Sequence, residues 1–294
     1  MPRRIAVDLA VPHRAVLGEG PRWDAAHARL LWVDIEAGEL HVFDPRSGGD
    51  RALPLGGRVG AVAPVSAGHA LVALARRLAI VDLDNGSLDP VVEIPHDDDR
   101  RLNDGACDAR GRFWIGSMAL DERPGGGALY RYANGALDLV LEQVSLSNGL
   151  GWSPDGRTMY YVDSPEGCIH AFDFEVDAGT IANRRIFVEI DGGTPDGLTV
   201  DHEGGVWIAL WGGSSVRRYT PDGMLDAIVD VPAAKVTACC FGGDDGGTLY
   251  VTTASRDLTP EERQAQPHAG CVFAADPGVT GPPAQPFACG PHVA

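Results

Sequence analysis

Lysine is nearly absent: Lys235 is the single one, and arginine supplies the other 23 of the 24 basic residues. A Schiff-base chemistry would therefore have one candidate, which argues against it. Positive charge as a whole is scarce, with 24 Lys+Arg against 41 Asp+Glu and a formal net charge of -17. That is the wrong sign for a protein that neutralises phosphates, so nucleic acid is excluded as a partner. No run of 18 apolar residues exists, which excludes a membrane-spanning helix. The start, Met1-Pro2-Arg3-Arg4-Ile5, lacks the apolar segment of a secretory signal, and a cytoplasmic location is expected. The six cysteines (Cys107, Cys168, Cys239, Cys240, Cys271, Cys289) form no C-x-x-C pair and read as buried free thiols. Aromatics are 7% of the 294 residues, whereas glycine and proline contribute 38 and 21. Such a chain favours many short strands joined by turns.

What is present is a repeat. Apolar openings recur at Gly20, Gly60, Gly105, Gly149 and Gly197, in steps of 40, 45, 44 and 48 residues, and a sixth, at Val236, lacks the glycine. Second strands follow, as in Leu30-Leu31-Trp32-Val33, Phe113-Trp114-Ile115 and Val206-Trp207-Ile208. The turns between them, Asp108-Ala109-Arg110-Gly111, Ser153-Pro154-Asp155-Gly156 and Asp201-His202-Glu203-Gly204, have the residues that tight hairpins need. About four short strands per unit of 40–48 residues is the pattern of a propeller blade. The expectation is an all-β, six-bladed β-propeller, one domain over residues 1–294, with about four antiparallel strands per blade. A one-turn helix with Thr259 as N-cap is expected at Pro260-Glu261-Glu262-Arg263.

Equivalent positions of inner strands cluster at one mouth of the channel. The residues just before the opening glycines are Glu19, Val59, Asp104 (itself preceded by Asn103), Asn148 and Asp196. Asn-Gly and Asp-Gly are also the commonest hairpin pairs, so each taken singly reads as a turn; Glu19 does not. Carboxylates that converge repel unless a cation compensates them. An oxygen-only set favours Ca²⁺, with Mg²⁺, Mn²⁺, Zn²⁺ and Fe²⁺ as alternatives. Other constellations are weaker. Gly116-Ser117-Met118 lacks the second glycine of a nucleophile elbow. His13, His41, His170 and His202 read as strand or turn residues, Asp97-Asp98-Asp99 as a solvated loop. The six tryptophans read as blade packing, with Trp211 the one considered near a ligand.

The strings Gly18-Glu19-Gly20-Pro21, Arg101-Leu102-Asn103-Asp104-Gly105, Ser147-Asn148-Gly149 and Pro195-Asp196-Gly197, supported by Trp207-Ile208-Ala209-Leu210-Trp211-Gly212-Gly213 and Phe241-Gly242-Gly243, resemble the regucalcin/gluconolactonase (senescence marker protein) family. The resemblance runs from about Val16 to Ala274. It implies a propeller that binds one divalent cation and opens sugar lactones. By motif, Glu19, Asn148 and Asp196 would hold the metal, and Asp196 could also be the base. Arg101 and Asn103 would hold the substrate, joined by Asp121 or its neighbour Glu122. The implied partner is a small sugar lactone, with the protein a monomer or weak oligomer. Two alternatives stay open: a non-enzymatic calcium-binding or interaction propeller, and a related propeller esterase or phosphotriesterase.

Overall fold

The computed structural model describes residues 1–66 and 68–288. Six antiparallel sheets follow one another along the chain. Blade one covers residues 18–54, blade two 59–93, blade three 100–144, blade four 147–189 and blade five 194–230. Blade six takes Val236–Gly242, Thr248–Thr253 and Val272–Ala275, and its fourth strand is Asp8–Val11 from the other end of the chain. The N-terminal segment thus closes the ring. Arg3–Ile5 adds a parallel fifth strand to blade five, beside Leu225–Asp230. This is the expected six-bladed propeller.

Each blade is sandwiched between two others, so its second strand is covered on both faces. That is why Arg29–Asp34, Phe113–Ala119 and Val206–Trp211 are apolar without alternation and almost wholly buried. The core divides into six apolar clusters, one per seam between neighbouring blades. Trp32, Trp114 and Trp207 are fully buried in three of them. Burying such a side chain stabilises the fold by about 2–3 kcal/mol. Outer strands such as Thr180–Glu189 meet solvent and carry charge.

The expected hairpin turns form. Gly111, Gly156 and Gly204 donate back to Asp108 O, Ser153 O and Asp201 O at 2.8, 2.8 and 3.0 Å, each at positive φ. Thr259 caps the helix Pro260–Ala265 with a full capping box, its Oγ1 accepting from Glu262 N while Thr259 N donates to Glu262 Oε2. The run 97–99 is exposed loop. Cys168, Cys239, Cys240 and Cys271 are buried free thiols and Cys107 is buried; Cys289 lies outside the described residues.

Candidate functional site

The six inner strands share a local irregularity that aims side chains at the axis. Each breaks register with its second strand near its start, between Glu19 and Arg22, Val59 and Ala61, Leu102 and Gly105, Ser147 and Leu150, Pro195 and Leu198, and Val236 and Ala238; blade two breaks a second time between Pro64 and Ser66. A bulge re-aims the residue it contains. Here the bulges hold Asn103, Asp104, Asn148 and Asp196, while Glu19, paired with Val33, borders one; all five are buried. The Asp-Gly and Asn-Gly pairs are therefore mid-strand bulges, and the turn reading of each pair is corrected. Their glycines serve close approach: a Cβ on Gly149 would sit 2.6 Å from Asp196 O of the next inner strand.

The polar residues form a rail across three blades. Arg101 Nη1 donates to Asn103 Oδ1 at 2.6 Å and to Leu102 O at 3.1 Å. Asn103 Nδ2 donates to Asn148 Oδ1 at 2.9 Å and to Ser147 O at 2.8 Å. Asn148 Nδ2 then donates to Ser164 Oγ, which donates to Pro195 O beside Asp196, at 2.8 and 2.7 Å. Ser164 belongs to this rail although no repeat position marks it; its only sequence signal is the Asp163-Ser164-Pro165 turn.

The acids divide by whether an arginine bonds them. Asp104 accepts from Arg22 Nη2 at 3.0 Å and from Gly105 N at 2.7 Å. Arg22, unremarked in the sequence, thereby neutralises one carboxylate across the channel. Glu19 has the Gly20 N–H at 3.0 Å, and Asp196 Oδ1 is buried with no hydrogen-bond partner among the described residues. Burial, and then the Asp104 charge, push Glu19 up to about 8. Burial and the charges of Glu19 and Asp104 push Asp196 well above the carboxylate range. Burial lowers Arg101 to about 10, so it remains a cation at neutral pH.

This donor set suits a hard divalent cation. It offers two carboxylates and an amide oxygen, one carboxylate oxygen has no hydrogen-bond partner among the described residues, and burial followed by mutual repulsion raises both acids, an effect that a cation would oppose. Asp121 is not drawn into the group. Its side chain is 63% exposed and bonds Arg123, on the loop after the second strand of blade three. Glu122 takes the left-handed conformation there, at φ 56°. One face of the Trp211 ring is occupied by Lys235 Nζ, 4.9 Å from the centroid. Ser117 is fully buried, and its Oγ is engaged with Ala128 N and O, consistent with no nucleophilic part. A cavity of about 380 Å³ lies elsewhere. It opens at the far ends of the inner strands between Trp152, Phe174 and the tail segment 282–285, and carries none of these acids.

Fold and donors together define a class: a six-bladed propeller with a cluster of buried oxygen donors in its channel. The chain belongs to the SMP-30/Gluconolactonase/LRE-like family, whose description matches residues 17–255. It is 38% identical over 286 residues to the "Putative sugar lactone lactonase YvrE" of Bacillus subtilis (strain 168), covering 95% of this chain and 98% of that one. It is 36% identical over 275 residues to regucalcin of Danio rerio, covering 92% and 93%. The crystal structure of a calcium-binding protein, regucalcin, from Agrobacterium tumefaciens superposes with a TM-score of 0.93 at 29% identity, over 98% of this chain and all of the other.

Proposed function

We propose that the protein is a divalent-metal-dependent sugar lactonase, opening an aldonolactone such as glucono-, xylono- or arabinonolactone to the sugar acid. Glu19, Asn148 and Asp196 would hold the cation, Ca²⁺ first among candidates. What such a cation supplies when bound is Lewis acidity toward an ester carbonyl and a lowered pKa for water. Arg101 and Asn103 orient the polyol: the guanidinium donates to hydroxyls, and its bond to Asn103 fixes both in place. Asp196, whose Oδ1 has no hydrogen-bond partner among the described residues, would serve as base as well as ligand and accept the proton of the water that attacks the lactone carbonyl carbon. The bond from that carbon to the ring oxygen then breaks, and the proton passes to the departing alkoxide.

The observation that carries this reading is the pair of buried acids, Glu19 and Asp196, that no arginine hydrogen-bonds, beside a fixed Arg–Asn arm. A lactone is neutral and rich in hydroxyls, which suits that arm better than the apolar mouth a phosphotriester would want. The test is a pH-stat assay on the three lactones, with metal-stripped protein resupplied with Ca²⁺, Zn²⁺, Mn²⁺ or Mg²⁺. Asp196→Asn and Glu19→Gln should abolish hydrolysis while the fold persists. Tight Ca²⁺ binding with no turnover of any lactone would favour a calcium-binding propeller without catalysis; the Agrobacterium neighbour is described as a calcium-binding protein.

A further inference from the structure

The seam where the ring closes holds a second group of donors, built differently from the channel. Glu39 and His41 lie two apart on the third strand of blade one, Glu39–Asp44, and so share a face. His13 follows Asp8–Val11, the N-terminal strand that completes blade six. One ligand atom from each of His13, Glu39 and His41 lies within 4.8 Å of the others.

His41 makes this more than a surface cluster. Its side chain is 0% exposed, and its ring stacks on Trp32 with centroids 3.9 Å apart. Nδ1 is engaged by Asp50 Oδ2 at 2.7 Å, and Asp50 Oδ1 is itself held by Trp32 Nε1 at 3.1 Å. With Nδ1–H given to Asp50, the Nε2 lone pair faces the cluster. That nitrogen is buried with no hydrogen-bond partner among the described residues, Glu39 Oε2 being 3.6 Å away. A carboxylate that fixes the far nitrogen of a histidine is the support metal-ligating histidines have.

We propose that His13, Glu39 and His41 form a second metal site, of zinc type, that clamps the closing strand of blade six to blade one. Two imidazoles and one carboxylate are a borderline donor set that selects Zn²⁺ over Ca²⁺. Bonds of about 2.0–2.1 Å to a tetrahedral centre place donors about 3.3 Å apart, so a modest inward turn of the surface-borne His13 completes the set, with water as fourth ligand. The other such group, Glu166, Cys168 and His170, has no room for an ion: Arg184 donates to both Glu166 and His170.

The test uses tag-free, metal-stripped protein with the channel silenced by Asp196→Asn. Zn²⁺ binding is measured by competition with a chromophoric chelator, and Co²⁺ serves as a visible reporter of tetrahedral geometry. The Asp196→Asn protein should take up one Zn²⁺ per chain, give the intense bands of tetrahedral Co²⁺, and gain several degrees in thermal midpoint. Adding His13→Ala should weaken Zn²⁺ at least tenfold and abolish both the bands and the gain. His13 lies at the surface, so this variant folds; unchanged circular dichroism verifies that. If Asp196→Asn binds no Zn²⁺, His41 is merely a buried ring between Asp50 and Glu39, and the proposal is overturned. Zn²⁺ binding that survives His13→Ala overturns it equally. Failure of the channel reading has a different signature: wild type would bind a single Zn²⁺, still lost with His13.

Discussion

Replacing Glu19 by glutamine should stabilise the metal-free protein while destroying its activity. In the unfolded chain this carboxyl ionises near 4.5; in the folded, metal-free protein burial and Asp104 hold it protonated up to about 8. The folded state therefore binds a proton that the unfolded state has released. Stability from this source is complete below about pH 4.5 and is lost as pH rises through about 8. Between 4.5 and pH 7 lie two and a half decades of proton activity, each worth about 1.4 kcal/mol, so the wild type forfeits about 3 kcal/mol at pH 7. Glutamine is neutral at every pH and has the shape of the protonated acid. In urea denaturation with EDTA, Glu19→Gln should be more stable than wild type by about 3 kcal/mol at pH 7 and by under about 1 kcal/mol at pH 5. Added Ca²⁺ should reverse the order once it reaches about a thousand times Kd, since only wild type gains, by about 4.1 kcal/mol. A variant equal to or weaker than wild type at pH 7 in EDTA would show that Glu19 is not a buried, uncompensated acid.

Arg101→Met keeps the buried stem but removes the donors to Asn103 and Leu102 O. It should lower kcat/KM for lactone by about 10²–10³, chiefly through misplaced substrate, with Ca²⁺ affinity by calorimetry equal or higher. Asp121→Ala, at an exposed residue paired with Arg123, should leave Ca²⁺ affinity and the melting midpoint unchanged and move KM by less than about threefold. A larger loss of kcat/KM would put Asp121 on the substrate.

The blade repeat was legible because a second strand buried on both faces must be continuously apolar, and tight hairpins need Asp, Gly and Pro at fixed offsets. Equivalence along the repeat also put Glu19, Val59, Asp104, Asn148 and Asp196 at one position, and the family resemblance picked Glu19, Asn148 and Asp196 from them. What stayed hidden has long-range causes. Arg22 meets Asp104 across 82 residues, and Ser164 meets Pro195 across 31, with no local pattern to mark either. The glycines after the site residues looked like turn formers because sequence does not distinguish φ freedom from close approach; at Gly149 and Gly197 the neighbouring inner strand leaves no room for a Cβ. Ring closure pairs Asp8 with Ala274, a contact that a repeat of 40–48 residues cannot announce. His13 and His41, read singly as strand or turn residues, meet only because of that closure.

The abundant acid has two opposite uses inside the molecule, and one substitution separates them. Asp108 accepts from Trp114 Nε1 at 2.9 Å and Arg112 Nε at 2.6 Å; Asp201, its counterpart two blades on, accepts from Trp207 Nε1 at 2.8 Å and Arg218 Nε at 2.7 Å. Each also receives backbone N–H groups of its own hairpin, as Asp201 does from Glu203 and Gly205. These carboxylates are buried yet fully answered, so they stabilise as anions. Asp201→Asn turns an acceptor into a donor facing an arginine and an indole N–H. Breaking a buried pair costs about 3–5 kcal/mol, and the lower end applies because Arg218 keeps Asp226 and Glu203. The exchange of acid for amide thus destabilises at residue 201 and stabilises at residue 19, measured in the same urea titration with EDTA at pH 7. Equal signs at the two sites would mean that burial alone decides the effect. Opposite signs would mean that the partner decides, and that the channel acids are kept at the fold's expense for a cation.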